Sequence, residues 1–514
     1  MTIALAVLDD GISNAIQAQT GKMAVYEHDF SDGDGETDGG VARNHGSGVA
    51  YAALRTSAAY NLVDLKLSPT GAGYCTYEAV AEALDAQANG IAAGHHVNTV
   101  NMSFGGTFCP DYIHTRIDAL TAQGIIFVAA SGNAGSAGRL EWSDYPAGLP
   151  NVISVGAHDG AGHPSWFSQQ GRNTDLLADG ENFPWPSWTG TSFAAPQVAA
   201  TVVHVQAIGE GLTGVQMSVG QVVDALKAGG TGPRSQPDPA NDATRYFLES
   251  HARAVDYAWN RYGGNPTTAL EYIASRDDLI AAFGANAAAG KRHYIGIGAV
   301  EERAISFDGL DYVASYEDLS RTFGASAQAG ATHYIGSGVH EGREIGFDGL
   351  EYIATYDDLM AAYGANHDAG STHFIRNGRA EQRAVAFDGL EYVASYGDLI
   401  AAFGPSEDKG ATHFITAGRF EHRQTSFDGL QYIASHANLI VRLGADRDAG
   451  STDYITAGYR AGRAPDNFDA AQYLANYQDL RDAFGSDEDA AAVHYITAGY
   501  YEGRTDAAAS DFIV

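Results

Sequence analysis

The stretch Gly190-Thr191-Ser192-Phe193-Ala194-Ala195-Pro196, followed by the apolar run Val198 to Val205, decides how this chain is read. A glycine-led turn presents one serine, and a helical segment starts directly after it. Ser192 therefore falls at a helix N-terminus, where orphan backbone N–H groups and the positive end of the dipole favour developing negative charge. A serine hydroxyl is a poor nucleophile by itself, so the stretch has chemical meaning only with a base and an orienting acid. Upstream, Asp9 follows the apolar run Ile3 to Leu8, and His45 stands in Arg43-Asn44-His45-Gly46-Ser47-Gly48. Acid, then histidine, then serine is one of three chain orders that assemble this set on unrelated folds.

The totals bound what surrounds these residues. At 514 residues the chain exceeds one ordinary core, so two or more domains are expected. Its 62 glycines point to many tight turns. The net charge of −33 is shared by both halves and leaves no basic face for phosphate backbones, which argues against nucleic-acid binding. That acidity suits solubility, calcium and the attraction of basic substrates. No apolar run is long enough to span a bilayer. Ile3 to Leu8 is too short for the h-region of a signal peptide and runs straight into Asp9-Asp10. The two cysteines, Cys75 and Cys109, are compatible with one disulfide or with two free thiols.

Around the triplet, short apolar strands alternate with helices. Strands are predicted at 1–8, 62–67, 99–103, 125–130 and 152–155, and helices through Ala53 and at 77–92 and 114–123. This alternation argues for a parallel sheet covered on both faces, with chemistry on the loops at the carboxyl ends of its strands. Asp9, Ser103 and Asn133 each follow a strand. The acidic glycine loop Asp29 to Gly40 carries Asp32, Asp34, Glu36 and Asp38 at every second position. That spacing can wrap Ca2+ as a structural ion, and a solvated turn is the plainer reading.

Five motifs in order make residues 3–230 resemble a subtilisin-type serine peptidase (subtilase). They are Val7-Leu8-Asp9-Asp10-Gly11, Asn44-His45-Gly46, Asn101-Met102-Ser103-Phe104-Gly105-Gly106, Ala130-Ser131-Gly132-Asn133, and Gly190-Thr191-Ser192 with Pro196. Singly each has a dull alternative: Asp9 or Asp10 capping a turn, His45 capping its helix, Asn133 in a glycine turn. The resemblance implies an α/β fold with a subtilisin-like, mostly parallel sheet and helices on both faces. It implies a serine endopeptidase with Asp9, His45 and Ser192 catalytic, the Asn133 amide holding the oxyanion, and no cofactor required for chemistry. Ser103, Phe104 and Gly105 are expected to pair with an extended peptide.

Asp144, before Tyr145-Pro146, aligns near the floor of the first specificity pocket, and Asp10 repeats the second acid of kexin-like relatives. Together they imply a preference for Lys or Arg before the cleaved bond. Three features depart from the family: few residues precede Asp9 and no propeptide is visible, Gly48 stands where a second histidine is common, and the stretch from His45 to Leu67 is too short for the usual calcium loop. Cys75 and Cys109 fall on loops of the active-site rim, where an exported protein is expected to join them in a disulfide.

After residue 258 the composition shifts. Units beginning at Leu270, Leu310, Leu350, Leu390 and Leu430 recur at a period of 40, and a sixth follows after 41 residues at Ala471. The middle units share Phe-Asp-Gly-Leu, as at Phe347 to Leu350, and most carry a late histidine and an arginine, as at His333 and Arg343. A fixed period means an array, here of about three short helices per unit that stack on neighbours. Asp348 with Glu351, and Thr355 with Asp358, have the capping-box offset, and Gly364 and Gly378 are read as helix stops. The repeated histidine is expected to pack beside an aromatic rather than bind metal, and the arginine to pair with the unit's acids.

The domains expected are a peptidase domain over 1–258, a linker over 259–266, six tandem helical repeats over 267–506, and a tail over 507–514. The end of that tail, Asp511-Phe512-Ile513-Val514, resembles the C-terminal export signal of type I secreted bacterial proteins. The leading expectation is a secreted or cell-surface peptidase exported without a signal peptide, acting on proteins or peptides. The alternatives are a cytoplasmic enzyme, a catalytically silent binding protein of this fold, or an adhesin whose repeats bind a surface, matrix or other protein.

Overall fold

The computed structural model describes residues 2–31, 37, 44–69, 72–88, 95–137, 143–171, 173–183, 185–235 and 245–507, with only the backbone described at 232–235 and 245–248. The acidic loop residues Asp32, Asp34, Glu36 and Asp38, and the tail from Asp511, lie outside these residues. The chain divides into two compact units, Met1–Phe307 and Asp308–Val514.

The first unit is built on the run Ala4-Leu5-Ala6-Val7-Leu8-Asp9, which forms a strand buried at every position (β1, Ala4–Asp9). Strands buried on both faces lack polar alternation, and this is the signature of a central parallel strand. The remaining strands are β2 (Ala24–Asp29), β3 (Asn61–Lys66), β4 (Val97–Met102), β5 (Ile126–Ala130), β6 (Val152–His158), β7 (Thr174–Asp179), β8 (Thr231–Ser235) and β9 (Arg245–Leu248). They form one sheet in the order β2-β3-β1-β4-β5-β6-β7-β9-β8. All pairings are parallel except β8 with β9.

The helices between them are α1 (Asn14–Thr20), α2 (His45–Thr56), α3 (Tyr77–Ala88), α4 (Asp111–Thr121), α5 (Thr191–Thr213), α6 (Val219–Gly229) and α7 (His251–Arg261). Side chains of α3 and α4, among them Val80, Leu84, Ile113 and Ile117, pack with Leu8, Val63, Val100 and Phe127 of the sheet. Helix α5 runs through the interior, buried from Thr191 to Gly209. The strands β2 and β7 were not legible in the sequence, because β2 alternates between half-buried and exposed positions and β7 has only three consecutive buried residues.

The first compact unit runs past the boundary expected at 258 to Phe307, and α7 spans the start of the expected linker. The first repeat, with helices Pro266–Ala274, Asp277–Phe283 and Ala287–His293, belongs to the sheet-bearing unit. Ile3 N–H, just before β1, donates to Val300 O at 2.8 Å, and His204 Nδ1 in α5 lies 3.2 Å from Ile295 O. Tyr294 is buried beside Trp259, their ring centres 5.5 Å apart. These apolar and backbone partners have no sequence signature, since a repeat looks alike whether it packs on its own kind or on something else.

The second unit holds the other five repeats, each of three short helices followed by a π-helical turn, as in Gly349–Thr355, Asp357–Tyr363, His367–His373 and Phe374–Gly378. Each N-terminal helix is capped by an aspartate; Asp348 accepts from Glu351 N–H at 2.7 Å. The Thr355 cap is corrected: Tyr356 is the N-cap, and the Thr355 hydroxyl accepts from Ala386 and Phe387 N–H of the following segment. Gly378 is the last residue of the π turn and lies against Tyr352, whose hydroxyl would be 2.2 Å from any Cβ there.

The late histidines pack as expected. In four of these repeats a buried tyrosine hydroxyl meets His Nδ1 at 2.9–3.0 Å, as at Tyr312 with His333. Where Asp453 replaces the histidine, the Tyr432 hydroxyl donates to it at 2.8 Å. The arginines pair with acids, Arg343 with Asp318 and Glu341 for example.

Candidate active site

Asp9 is the last residue of β1, so the sheet delivers its carboxylate to the edge where parallel strands end. Asn44 caps α2, accepting from Ser47 N–H at 3.1 Å and donating through Nδ2 to Asp10 O and Gly11 O at 3.1 and 2.6 Å. One side chain thus starts the helix and ties it to the turn after β1. His45 is the first residue of that helix, with Nδ1 2.7 Å from Asp9 Oδ1 and Nε2 2.9 Å from Ser192 Oγ. A carboxylate accepts only, so the fitting tautomer carries its proton on Nδ1 and leaves Nε2 to accept from the serine hydroxyl. Burial works against protonation of His45, but the charge and hydrogen bond of Asp9 and the charge of Asp10 outweigh it and raise its pKa to about 9.

Ser192 is the second residue of α5, directly after Thr191. Pro196 has no N–H to offer the carbonyl of Ser192 four residues earlier. The Ser103 hydroxyl takes that carbonyl instead, at 2.7 Å, and accepts from Asn101 Nδ2 at 2.9 Å. Asn133 is held by its carbonyl oxygen, which accepts from Thr191 N–H at 2.9 Å and from Thr191 Oγ1 at 3.0 Å. Its Nδ2 is thereby turned towards Gly190, where a Cβ would stand 3.0 Å from Ser192 Oγ and 3.4 Å from Asn133 Nδ2. Glycine at 190 keeps open the space between hydroxyl and amide. Thr191 was quoted in the sequence only as part of the serine motif, and its role in aiming Asn133 needed the structure.

These groups line a cleft of about 600 Å³ that also takes in Asp10, Ser103, Phe104, Gly105 and Asp144. Gly105 is exposed, and the next residue, Gly106, pairs with Tyr145 across the cleft wall through bonds of 2.8 and 2.7 Å. Asp144 lies between that wall and Gly132, its Oδ1 accepting from Gln169 Nε2 at 3.2 Å. Asp10 accepts from Gly46 N–H at 2.6 Å, so one of its oxygens holds the first turn of the His45 helix as well as edging the cleft. The site residues therefore meet, except Asp32, Asp34, Glu36 and Asp38, which lie outside the described residues.

The disulfide expected between Cys75 and Cys109 is corrected: both are free thiols. Both pack against the apolar cluster under the cleft, and burial raises the pKa of each, that of Cys75 to about 11. Two cysteines on one rim can each be satisfied as small apolar groups, which sequence position cannot distinguish from pairing.

Gly48 lies against Trp188, whose ring would be 2.7 Å from a Cβ, so aromatic packing fills the place of the second histidine. Asp64 of β3 was missed altogether. It is fully buried, accepts from Ile12 N–H at 2.7 Å, and burial together with the nearby carboxylates Glu27, Asp9 and Asp10 raises its pKa well above the ordinary range. A lone acid in an apolar strand was its only signal.

The subtilase family model matches residues 2–235. Subtilisin DY of Bacillus licheniformis is 30% identical over 219 residues, covering 40% of this chain and 76% of that protein. A subtilisin of Bacillus pumilus is 33% identical over 126 residues, and the chain spans 46% of its length. Among solved structures, the prenylagaramide maturation protease PagA matches at 21% identity over 50% of this chain and 94% of its own, with a TM-score of 0.39. A cold-adapted subtilisin-like serine proteinase matches at 23% over 48% and 87%, with a TM-score of 0.38. No described helix is long and apolar enough to cross a membrane. With a family model over its sheet-bearing part and a relative matched over three quarters of its length, the chain belongs to the subtilase family.

Proposed function

We propose that the chain is a serine endopeptidase working through Asp9, His45 and Ser192. The observation that carries this reading is the continuous relay from Asp9 Oδ1 through His45 to Ser192 Oγ, with contacts of 2.7 and 2.9 Å. Ser192 Oγ attacks the scissile carbonyl while His45 Nε2 takes the hydroxyl proton. The carbonyl oxygen becomes an oxyanion, held by Asn133 Nδ2 and the backbone N–H of Ser192. His45 then gives its proton to the leaving amine, and an acyl-enzyme remains. Water enters by the same steps reversed: His45 takes its proton, the ester breaks, and Ser192 recovers its hydrogen. Throughout, Asp9 fixes the ring and stabilises its charged form. No step needs a metal or cofactor.

Substrate would lie extended along Ser103 to Gly105, recognised through backbone pairing. The carboxylate of Asp144 in the cleft supports a preference for Lys or Arg before the cleaved bond, because a cationic side chain would pair with it there. The acidic chain as a whole favours the same substrates. We read the enzyme as exported, with the repeats as an accessory array.

The test is hydrolysis of casein and of a peptide library by the full chain and by Ser192→Ala, with fluorophosphonate labelling alongside. Hydrolysis and labelling that both vanish in the variant are expected. A folded wild type that neither cleaves nor labels would favour a catalytically silent binding protein.

A further inference from the structure

The repeats of the second unit meet through a recurring pair of positions 56 residues apart. Between the fourth and fifth repeats the pair is Glu391 and Arg447. The Arg447 guanidinium lies 2.9 Å from Glu391, 3.5 Å from Asp428 and 2.5 Å from Asp489. Two repeats earlier, 80 residues back, the same positions hold Asp311, Asp348 and His367. The acidic positions that embrace Arg447 there surround an imidazole here.

His367 Nε2 is 2.9 Å from Asp311 Oδ2 and 3.7 Å from Asp348 Oδ2, and its Nδ1 is 3.6 Å from Asp308 Oδ2 and 3.7 Å from Asp368 Oδ1. The carboxylate of Asp311 is fixed, because its other oxygen accepts from the Ser371 hydroxyl at 2.5 Å. Asp348 is fixed too, its second oxygen capping a helix through Glu351 N–H. Four carboxylates thus face a ring that can neutralise one of them.

We propose that Asp311, Asp348 and His367 bind a divalent transition-metal cation, such as Zn2+, that bridges the second and third repeats. The separations fit. Ligands 2.0–2.2 Å from a tetrahedral zinc stand about 3.4 Å from each other, and the Nε2 contacts of 2.9 and 3.7 Å bracket that edge. The chemistry fits as well, since one imidazole nitrogen with carboxylate oxygens suits zinc or manganese better than calcium. The far side of the ring completes the arrangement. With Nε2 on the metal, Nδ1 keeps the proton and faces the carboxylates of Asp308 and Asp368 at 3.6 and 3.7 Å, whose charge favours a proton on that nitrogen. The remaining coordination positions would carry water.

The test is calorimetric titration of the chelator-treated full chain with zinc chloride, and with calcium chloride in parallel. One zinc per chain at this site, a raised melting temperature of the repeat unit and weaker binding of calcium are expected. His367→Ala and Asp348→Asn should each weaken that zinc event at least tenfold. Asparagine keeps the helix cap while removing the charge, so Asp348→Asn is the variant that folds in any case. His293→Ala, in the packing histidine of the first repeat, should leave the event unchanged. Zinc binding that is absent, or unaffected by both variants, would overturn the proposal and leave an imidazolium ion-pair cluster only.

Discussion

The aiming of Asn133 by Thr191 can be tested with two single variants and their combination. Asn133→Ala removes the side-chain donor proposed for the oxyanion and should lower kcat by about 100- to 1,000-fold. Thr191→Val keeps the volume and the backbone N–H that holds Asn133 Oδ1 at 2.9 Å, but removes the hydroxyl that holds it at 3.0 Å. One of two neutral hydrogen bonds is lost, worth about 1 kcal/mol, so kcat should fall roughly fivefold with KM little changed. The same hydroxyl accepts from Gly132 N–H at 3.2 Å. Its loss leaves that buried group unpaired, at a stability cost of about 1–3 kcal/mol, which the denaturant midpoint reads separately from turnover. In the double variant the hydroxyl has nothing left to aim, so kcat should match that of Asn133→Ala within about twofold. The assay is steady-state hydrolysis of one chromogenic peptide by all four proteins. A Thr191→Val loss that persists undiminished in the Asn133→Ala background would refute the aiming role.

Three further outcomes follow from other parts of the first unit. As the proposed base, His45 must be neutral at Nε2 to accept a proton, so with its pKa raised to about 9 the value of kcat/KM should climb with pH through the neutral range and level off only above 9; a limb centred near 6.5 would contradict this. The linked stability has the opposite slope: protonated His45 paired with Asp9 stabilises the fold below its ordinary value of 6.5, and that contribution disappears as pH rises through about 9. Asp64 has its pKa raised in the fold, so the native state holds a proton that the unfolded chain releases, and stability falls with rising pH above the ordinary carboxylate range. Asp64→Asn keeps an acceptor for Ile12 N–H and should raise the melting temperature at pH 8 more than at pH 4, as scanning calorimetry would register. Asp144→Ala should shift cleavage in a peptide library away from Lys and Arg with little effect on the best neutral substrates, and an unchanged basic preference would remove Asp144 from the pocket's chemistry.

The amino-acid sequence by itself determined the central parallel strands of the sheet, the residues proposed for the relay and the six repeats. Each leaves a local trace: uninterrupted apolar strands, short motifs whose spacing follows turn geometry, and a strict period. The packing histidines were legible for the same reason, because each recurs at a fixed offset from a tyrosine. Tertiary structure alone decided the rest. The hydroxyl of Ser103 meets the carbonyl that Pro196 leaves unpaired across 89 residues, and the first repeat packs within the sheet-bearing unit, Val300 O on Ile3 N–H and Tyr294 beside Trp259. Cys75 and Cys109 settle as separate thiols. Partners of this kind are chosen by shape and burial between distant segments, and those energies have no periodicity for a sequence to display.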